Sequence, residues 1–193
     1  MDFYPVLENK RVILRPLQPE DAAALLPVAL QPALWTVGLG RIDNKPALEA
    51  YIALAMRERE QKVSVPFVII DKQTQRVAGS TRFAGMALAH KRAEIGYTWI
   101  DTALQGSGLN KAMKHAMLQH AFEVMDLNRI ELKTDVLNTQ SRNAILSIGA
   151  TQEGIFRHHM ITSTGRLRDT VYFSIIKEEW PDIRERIFGK YNF

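Results

Sequence analysis

Two glycines one residue apart, Gly106 and Gly108, stand directly before an apolar stretch with helical spacing, in the run Leu104-Gln105-Gly106-Ser107-Gly108-Leu109-Asn110-Lys111. A helix N-terminus carries unpaired N–H groups and a partial positive charge. Glycines ahead of it remove the Cβ atoms that would hold a ligand away from the backbone, so the pattern suits a phosphate. The same residues serve as a loop whose glycines only satisfy turn geometry. A Walker loop needs G-x-x-x-x-G-K-[ST], which the chain lacks. A dinucleotide fingerprint needs a third glycine where Lys111 stands. Asp135, near the end of the next strand, could bind a ribose, but the six residues between Trp99 and Gly106 are too slack for that motif's tight turn. Too little chain follows to complete a dinucleotide-binding sheet.

Other chemistries are narrower. There is no cysteine, which excludes a disulfide, a cysteine nucleophile and a thiolate metal site. His115 and His120 are five apart on a helix, the wrong spacing for a shared metal ion, and no metal is expected. His158 and His159 are neighbours on a strand and point to opposite faces, so one of them can line an acceptor cleft. The 25 Lys and Arg against 21 Asp and Glu leave a net charge of +4, scattered in mixed runs such as Arg57-Glu58-Arg59-Glu60. That pattern suits a solvated helix face and argues against a nucleic-acid partner. No signal-like segment opens the chain and no apolar run approaches about 18 residues, so no membrane association and a cytoplasmic location are expected.

These residues must be positioned by the elements around them. The 193 residues, 46% hydrophobic and 24% charged, suit one domain spanning 1–193 with a substantial core. Arg11–Leu17 reads as a strand. Pro19-Glu20-Asp21 starts a helix to about Leu30, ended or bent by Pro27. Asn44-Lys45-Pro46 starts a second, carrying Leu48, Tyr51, Ile52, Ala55 and Met56. Val65–Ile70 and Val77–Phe83 form a hairpin, and Ala93–Ile100 is a further strand. After the glycine loop, Leu109, Ala112, Met113, Ala116, Met117, His120 and Val124 mark one face of a helix. Arg129–Val136 alternates strictly, with Ile130, Leu132, Thr134 and Val136 on the apolar face. Ser141–Ile148 is a short helix stopped by Gly149. Glu153–Thr162 and Leu167–Ile176 make a last hairpin, and a short polar helix near Glu178–Phe188 closes the chain. The fold class is mixed α/β (α+β): a mainly antiparallel sheet flanked by helices, with one parallel crossover around the glycine loop.

Gln105-Gly106-Ser107-Gly108-Leu109-Asn110 resembles the Q/R-x-x-G-x-G/A signature of the GNAT superfamily of N-acetyltransferases, with Asn110 in place of the final small residue. The run Gly106 to Lys111 has the GxGxNK form of the RimJ/RimL-like branch, the ribosomal-protein acetyltransferase type. "VILRPLQPEDA", "AEIGY", "RIELKTDVLNTQSRNAI", "GATQEG" and "RLRDTVYFSI" extend the resemblance, in order, from about Leu7 to Trp180.

The resemblance implies acetyl-CoA as cosubstrate, its pyrophosphate held by backbone N–H groups of Gln105, Gly106, Ser107, Gly108, Leu109, Asn110 and Lys111. It implies a glutamate base at Glu94, eleven residues before Gln105. A strand glutamate paired with an arginine or lysine is the other reading. Thr98, Trp99 and Ile100 would offer backbone groups to the thioester and pantetheine if their strand is bulged and splayed from its neighbour; otherwise it is simply paired. The leaving thiolate is served in many relatives by a tyrosine seven residues after an asparagine; from Asn138 that position is Ile145. RimL-like relatives place a serine three residues on, here Ser141, which is equally a natural N-cap. Asn138 would hydrogen-bond pantetheine or simply make a turn. Arg142 and Lys111 could approach the CoA phosphates or face water. Trp35, Phe83 and Tyr97 are acceptor-side aromatics or core. The expected activity is direct transfer of acetyl to a primary amine in a ternary complex, the acceptor being a protein N-terminal α-amine. A small-molecule amine, or a non-catalytic acetyl-CoA-binding sensor, are the alternatives. Met- and Leu-rich surfaces permit a homodimer.

Overall fold

The computed structural model describes residues 1–191 and 193. Eight strands form one sheet: β1 (Leu7–Glu8), β2 (Val12–Pro16), β3 (Val65–Asp71), β4 (Arg76–Ala87), β5 (Arg92–Ile100), β6 (Arg129–Asp135), β7 (Thr151–Ile161) and β8 (Leu167–Ile176). Their spatial order is β1-β2-β3-β4-β5-β6-β8-β7. Every pair is antiparallel except β5 with β6. The mixed, mainly antiparallel architecture matches the sequence expectation.

Helices α1 (Ala22–Ala29) and α2 (Lys45–Glu60) cover one face of the sheet through Leu25, Val28, Leu48, Ile52 and Ala55, packed on Val68 and Trp99. Asn44 caps α2 by accepting the Ala47 N–H at 2.8 Å, and Pro46 sits in its first turn. Pro27 lies inside α1, which continues to Ala29. The opposite face is covered by α3 (Leu109–Gln119) and α4 (Thr139–Leu146), packed on Phe67, Phe83, Ile95 and Ile130.

Three expectations are corrected. The apolar face after the glycine loop does not run straight to Val124, because the last turn, His120–Val124, is a π-helix. The extra residue per turn rotates the pattern and leaves Val124 69% exposed. The C-terminal segment is not a polar helix. After α5 (Trp180–Ile183) the chain widens into another π-turn, Arg184–Phe188, and Trp180, Ile183 and Phe188 are buried against α3. Their spacing hides among charges that face outward. The alternation in β6 also holds only in part: Glu131 and Asp135 on its polar face are buried, engaged by Arg92 of β5 and by Arg166 of the turn before β8.

Candidate active site

The sheet is opened at its centre. Strands β5 and β6 pair only through Arg92–Arg129, Ala93–Ile130 and Glu94–Glu131, and then separate. On its other side β5 follows β4, but the register slips by one residue between Gly96 and Trp99. The extra residue is a bulge at Tyr97 and Thr98, with Tyr97 in the left-handed region at φ 53°. Gly79 of β4 makes the close approach possible: a Cβ there would lie 2.0 Å from the Trp99 carbonyl oxygen. The bulge reverses the alternation. Thr98 therefore turns toward α3, while Trp99 joins the α1/α2 side beside Trp35 (6.0 Å) and Tyr51 (6.1 Å), and Ile100 joins the α3-side core.

Glu94 stands at the apex of the opening. Its carboxylate lies over Gly96, where a Cβ would meet Oε1 at 2.5 Å, so the glycine two residues on makes room for it. Lys133 of β6 holds the other oxygen at 2.9 Å. Lys133 is half-buried, which works against its ammonium, but the Glu94 charge and hydrogen bond outweigh this and its pKa is raised. Its Nζ also lies 5.0 Å from the ring centre of Tyr172, which stacks against Phe156 (4.3 Å) and lies near His159. Tyr97 covers the buried Arg82 guanidinium at 4.2 Å, and Arg82 pairs with Glu58 at 2.8 Å. This face is polar, aromatic and open. Phe83, by contrast, is fully buried on the α3 side against Phe67, and Trp35 donates its indole N–H to Ala29 at 2.7 Å.

The glycine loop lies beyond the end of β5. Gly106 and Gly108 have φ 75° and 88°, and a Cβ on either would meet nothing within 4 Å. The N–H groups of Gly106, Gly108, Asn110 and Lys111 have no partner among the described residues, whereas Gln105 and Ser107 donate back to Thr102 and Leu104, and Leu109 donates to Ser107 Oγ at 3.4 Å. Four open amides at the start of a three-turn helix form an anion cradle that fits a pyrophosphate. The loop is braced from three sides: Gln31 exchanges hydrogen bonds with Asp101 and Thr102, Arg11 reaches Ser107 Oγ at 3.4 Å, and Gln140 of α4 donates to Gln105 at 2.9 Å.

Asn138 caps α4, accepting the Ser141 N–H at 2.9 Å, so the cap is Asn138 and Ser141 is the third helical residue. Lys111 lies along the Tyr191 ring and bonds its hydroxyl at 3.1 Å. Arg142 turns back to the Val136 carbonyl at 3.3 Å. Like Arg82, two further buried cations escaped the sequence reading. Arg168 of β8 is buried with only a 3.9 Å contact to Asp135, its Nε unpartnered. Lys114 of α3 is 6% exposed, with Nζ 3.4 Å from Thr98 Oγ1. Burial pushes its pKa down to about 7, partly opposed by Glu94. The signal for Lys114 was its place four residues before Leu118, on the flank of the apolar stripe. No group of three or more His, Asp or Glu that could hold a metal ion lies among the described residues, and no described helix is long and apolar enough to cross a membrane.

A sheet parted between two parallel strands, bulged at the parting and ending in an amide-lined loop, can seat an extended ligand that carries a phosphate. The chain belongs to the acetyltransferase (GNAT) family, whose domain it matches over residues 11–151. It is 26% identical to the "Putative ribosomal N-acetyltransferase YdaF" of Bacillus subtilis, over 89% of this chain and 94% of that protein. It superposes with a TM-score of 0.88 on a GCN5-related N-acetyltransferase from Brucella melitensis, 25% identical, covering 96% of this chain and 85% of the other. Mycobacterium smegmatis RimJ in complex with CoA-disulfide shares the fold, with a TM-score of 0.80 and 24% identity over 98% and 94% of the two chains. The family and the RimJ/RimL-like resemblance agree, and the protein is an acetyltransferase.

Proposed function

We propose that this chain moves an acetyl group from acetyl-CoA to a primary amine by direct attack in a ternary complex. The observation that carries the reading is the parting of β5 from β6 beyond Glu94, with four open amides at its mouth. The pyrophosphate sits on the open amides of Gly106, Gly108, Asn110 and Lys111, while those of Gln105, Ser107 and Leu109, also expected to bind it, hold the loop itself. Pantetheine lies along the unpaired edge of β5, with Asn138 at its side. Backbone groups around Thr98, Trp99 and Ile100 polarise the thioester carbonyl, which is worth most in a dry, preorganised site. Glu94 takes a proton from the acceptor ammonium, directly or through water, with Lys133 fixing its carboxylate. Ser141, near the start of α4, hydrogen-bonds the departing thiolate.

The acceptor enters from the opposite face, between Tyr97 and the Tyr172–Phe156–His159 cluster. A protein N-terminal α-amine suits this open, polar and aromatic face, and the ribosomal substrate in YdaF's name supports the same class. A cytoplasmic setting goes with it. The test is thiol release from acetyl-CoA against N-terminal peptides of ribosomal proteins, polyamines and aminoglycosides. Turnover with peptides, lost in Glu94→Gln, is the expected result. Turnover confined to small amines would move the acceptor class, and acetyl-CoA binding without turnover on any amine would favour a sensor.

A further inference from the structure

Lys114 is a costly residue, buried with no ion-pair partner among the described residues. It projects from the second turn of α3 toward the bulged part of β5, where the hydroxyls of Thr98 and of Thr81 on β4 are 2.8 Å apart and Met117 lies beside Thr81. An ammonium has three protons to donate. Among the described residues it makes one long bond, of 3.4 Å, to Thr98. The charged group that bears on it is Glu94 on β5, and the hydroxyls of β4 and β5 complete its polar surroundings. A buried amine so poorly paired is held for something that enters the opening.

We propose that Lys114 gives the proton to the CoA thiolate as it leaves, a task for which this chain has Ile145 where many relatives carry a tyrosine. This rests on the acetyl-transfer reading above. The amine nitrogen forms its bond to the thioester carbon, the C–S bond breaks, and the thiolate sulfur takes a proton from the Lys114 ammonium. The neutral lysine is recharged by the second proton shed from the acceptor nitrogen. With the first proton taken by Glu94, the cycle releases one proton in net. The role fits the chemistry: a free thiol has a pKa of roughly 8.5, so an acid near neutrality passes its proton downhill. A serine hydroxyl can hydrogen-bond a thiolate but is a far weaker acid. Ser141 therefore holds the sulfur and Lys114 supplies the proton.

The chain has no cysteine, so the ultraviolet absorbance of thiolate in a complex with free CoA belongs to CoA alone. Subtracting the complex with desulfo-CoA removes tyrosine ionisation. We expect the bound thiol to ionise at least about tenfold more readily than free CoA, a pKa lower by about one unit, as a neighbouring cation requires. Lys114→Arg keeps this shift but loses turnover, having a charge and no transferable proton. Lys114→Met loses both, while still binding CoA. The same bound-thiol pKa in the native protein and in Lys114→Met would overturn the proposal and leave the acetyl-transfer reading standing. Failure of the native protein to bind CoA at all would sink both.

Discussion

The two faces of the parted sheet present the same group, a lysine amine near Glu94, in opposite states. On the open face Lys133 is bonded to Glu94 at 2.9 Å, with its pKa raised. On the α3 face Lys114 is buried on a single long bond, with its pKa pushed down to about 7. Distance to the carboxylate and access to water account for the difference. Lys133 gains a direct partner as it loses solvent. Lys114 loses solvent and feels Glu94 only at a distance. A paired lysine positions a charge; an unpaired buried one can exchange its proton near neutral pH.

The largest effect should come from Glu94 itself. Replacing it with Gln keeps the shape over Gly96 but removes the base, and general-base catalysis is typically worth about 10²–10⁴ in rate. Turnover measured as thiol release should fall by at least about 100-fold, with acetyl-CoA affinity by calorimetry little changed. Lys133→Gln sharpens the comparison from the open side. It frees the carboxylate without removing it, so turnover should fall by less than about tenfold, in line with a partly exposed pair. A loss as large as that of Glu94→Gln would make the ion pair, not the free carboxylate, the working unit.

Lys114→Met breaks the other side of the comparison through stability. A lysine whose folded pKa lies near 7 and whose unfolded pKa is about 10.4 binds fewer protons folded than unfolded between those values. Native stability should therefore rise with pH from about 7 to about 10 and be lowest, and flat in this contribution, below 7. The Met variant should lack that slope and be more stable at pH 6 by about 2–3 kcal/mol, after allowing for relaxation around the buried charge. Urea unfolding of both proteins at pH 6 and pH 9 reads this directly. Equal stabilities at pH 6 would mean that Lys114 is not charged at a cost, and the contrast between the two lysines would collapse.

The loop and the succession of elements along the chain were legible because their signals are local. Glycines before an apolar helix, period-two strands and a proline–acid helix start act over a few residues. The parting of β5 from β6 was available only through resemblance, since nothing in "AEIGYTWI" says where a bulge falls. Gly96 could be read as flexibility, yet it serves the Glu94 carboxylate. Lys114 was missed because one lysine beside an apolar stripe looks like a side chain that snorkels to water. It is buried because α3 packs against β4 and β5 at that point, where Thr81 and Thr98 lie. The π-turn at His120–Val124 was equally hidden, since the apolar period continues past it in the sequence.

The smallest effects test the mouth of the opening, where the faces meet. Asn138 and Ser141 are joined by one hydrogen bond, from the Ser141 N–H to the Asn138 side-chain oxygen. The sequence pointed to Ser141 as the cap of α4; the geometry gives that role to Asn138. Asn138→Ala should therefore cost about 1 kcal/mol, the usual worth of an N-cap side chain. Ser141→Ala leaves the cap intact, because it is the backbone amide of Ser141 that donates, and should cost less than about 0.5 kcal/mol. Any loss of turnover in Ser141→Ala then belongs to the thiolate, and with Lys114 in place it should stay below about tenfold, the worth of one hydrogen bond. A larger loss, with stability unchanged, would make the serine rather than the lysine the main support of the leaving sulfur.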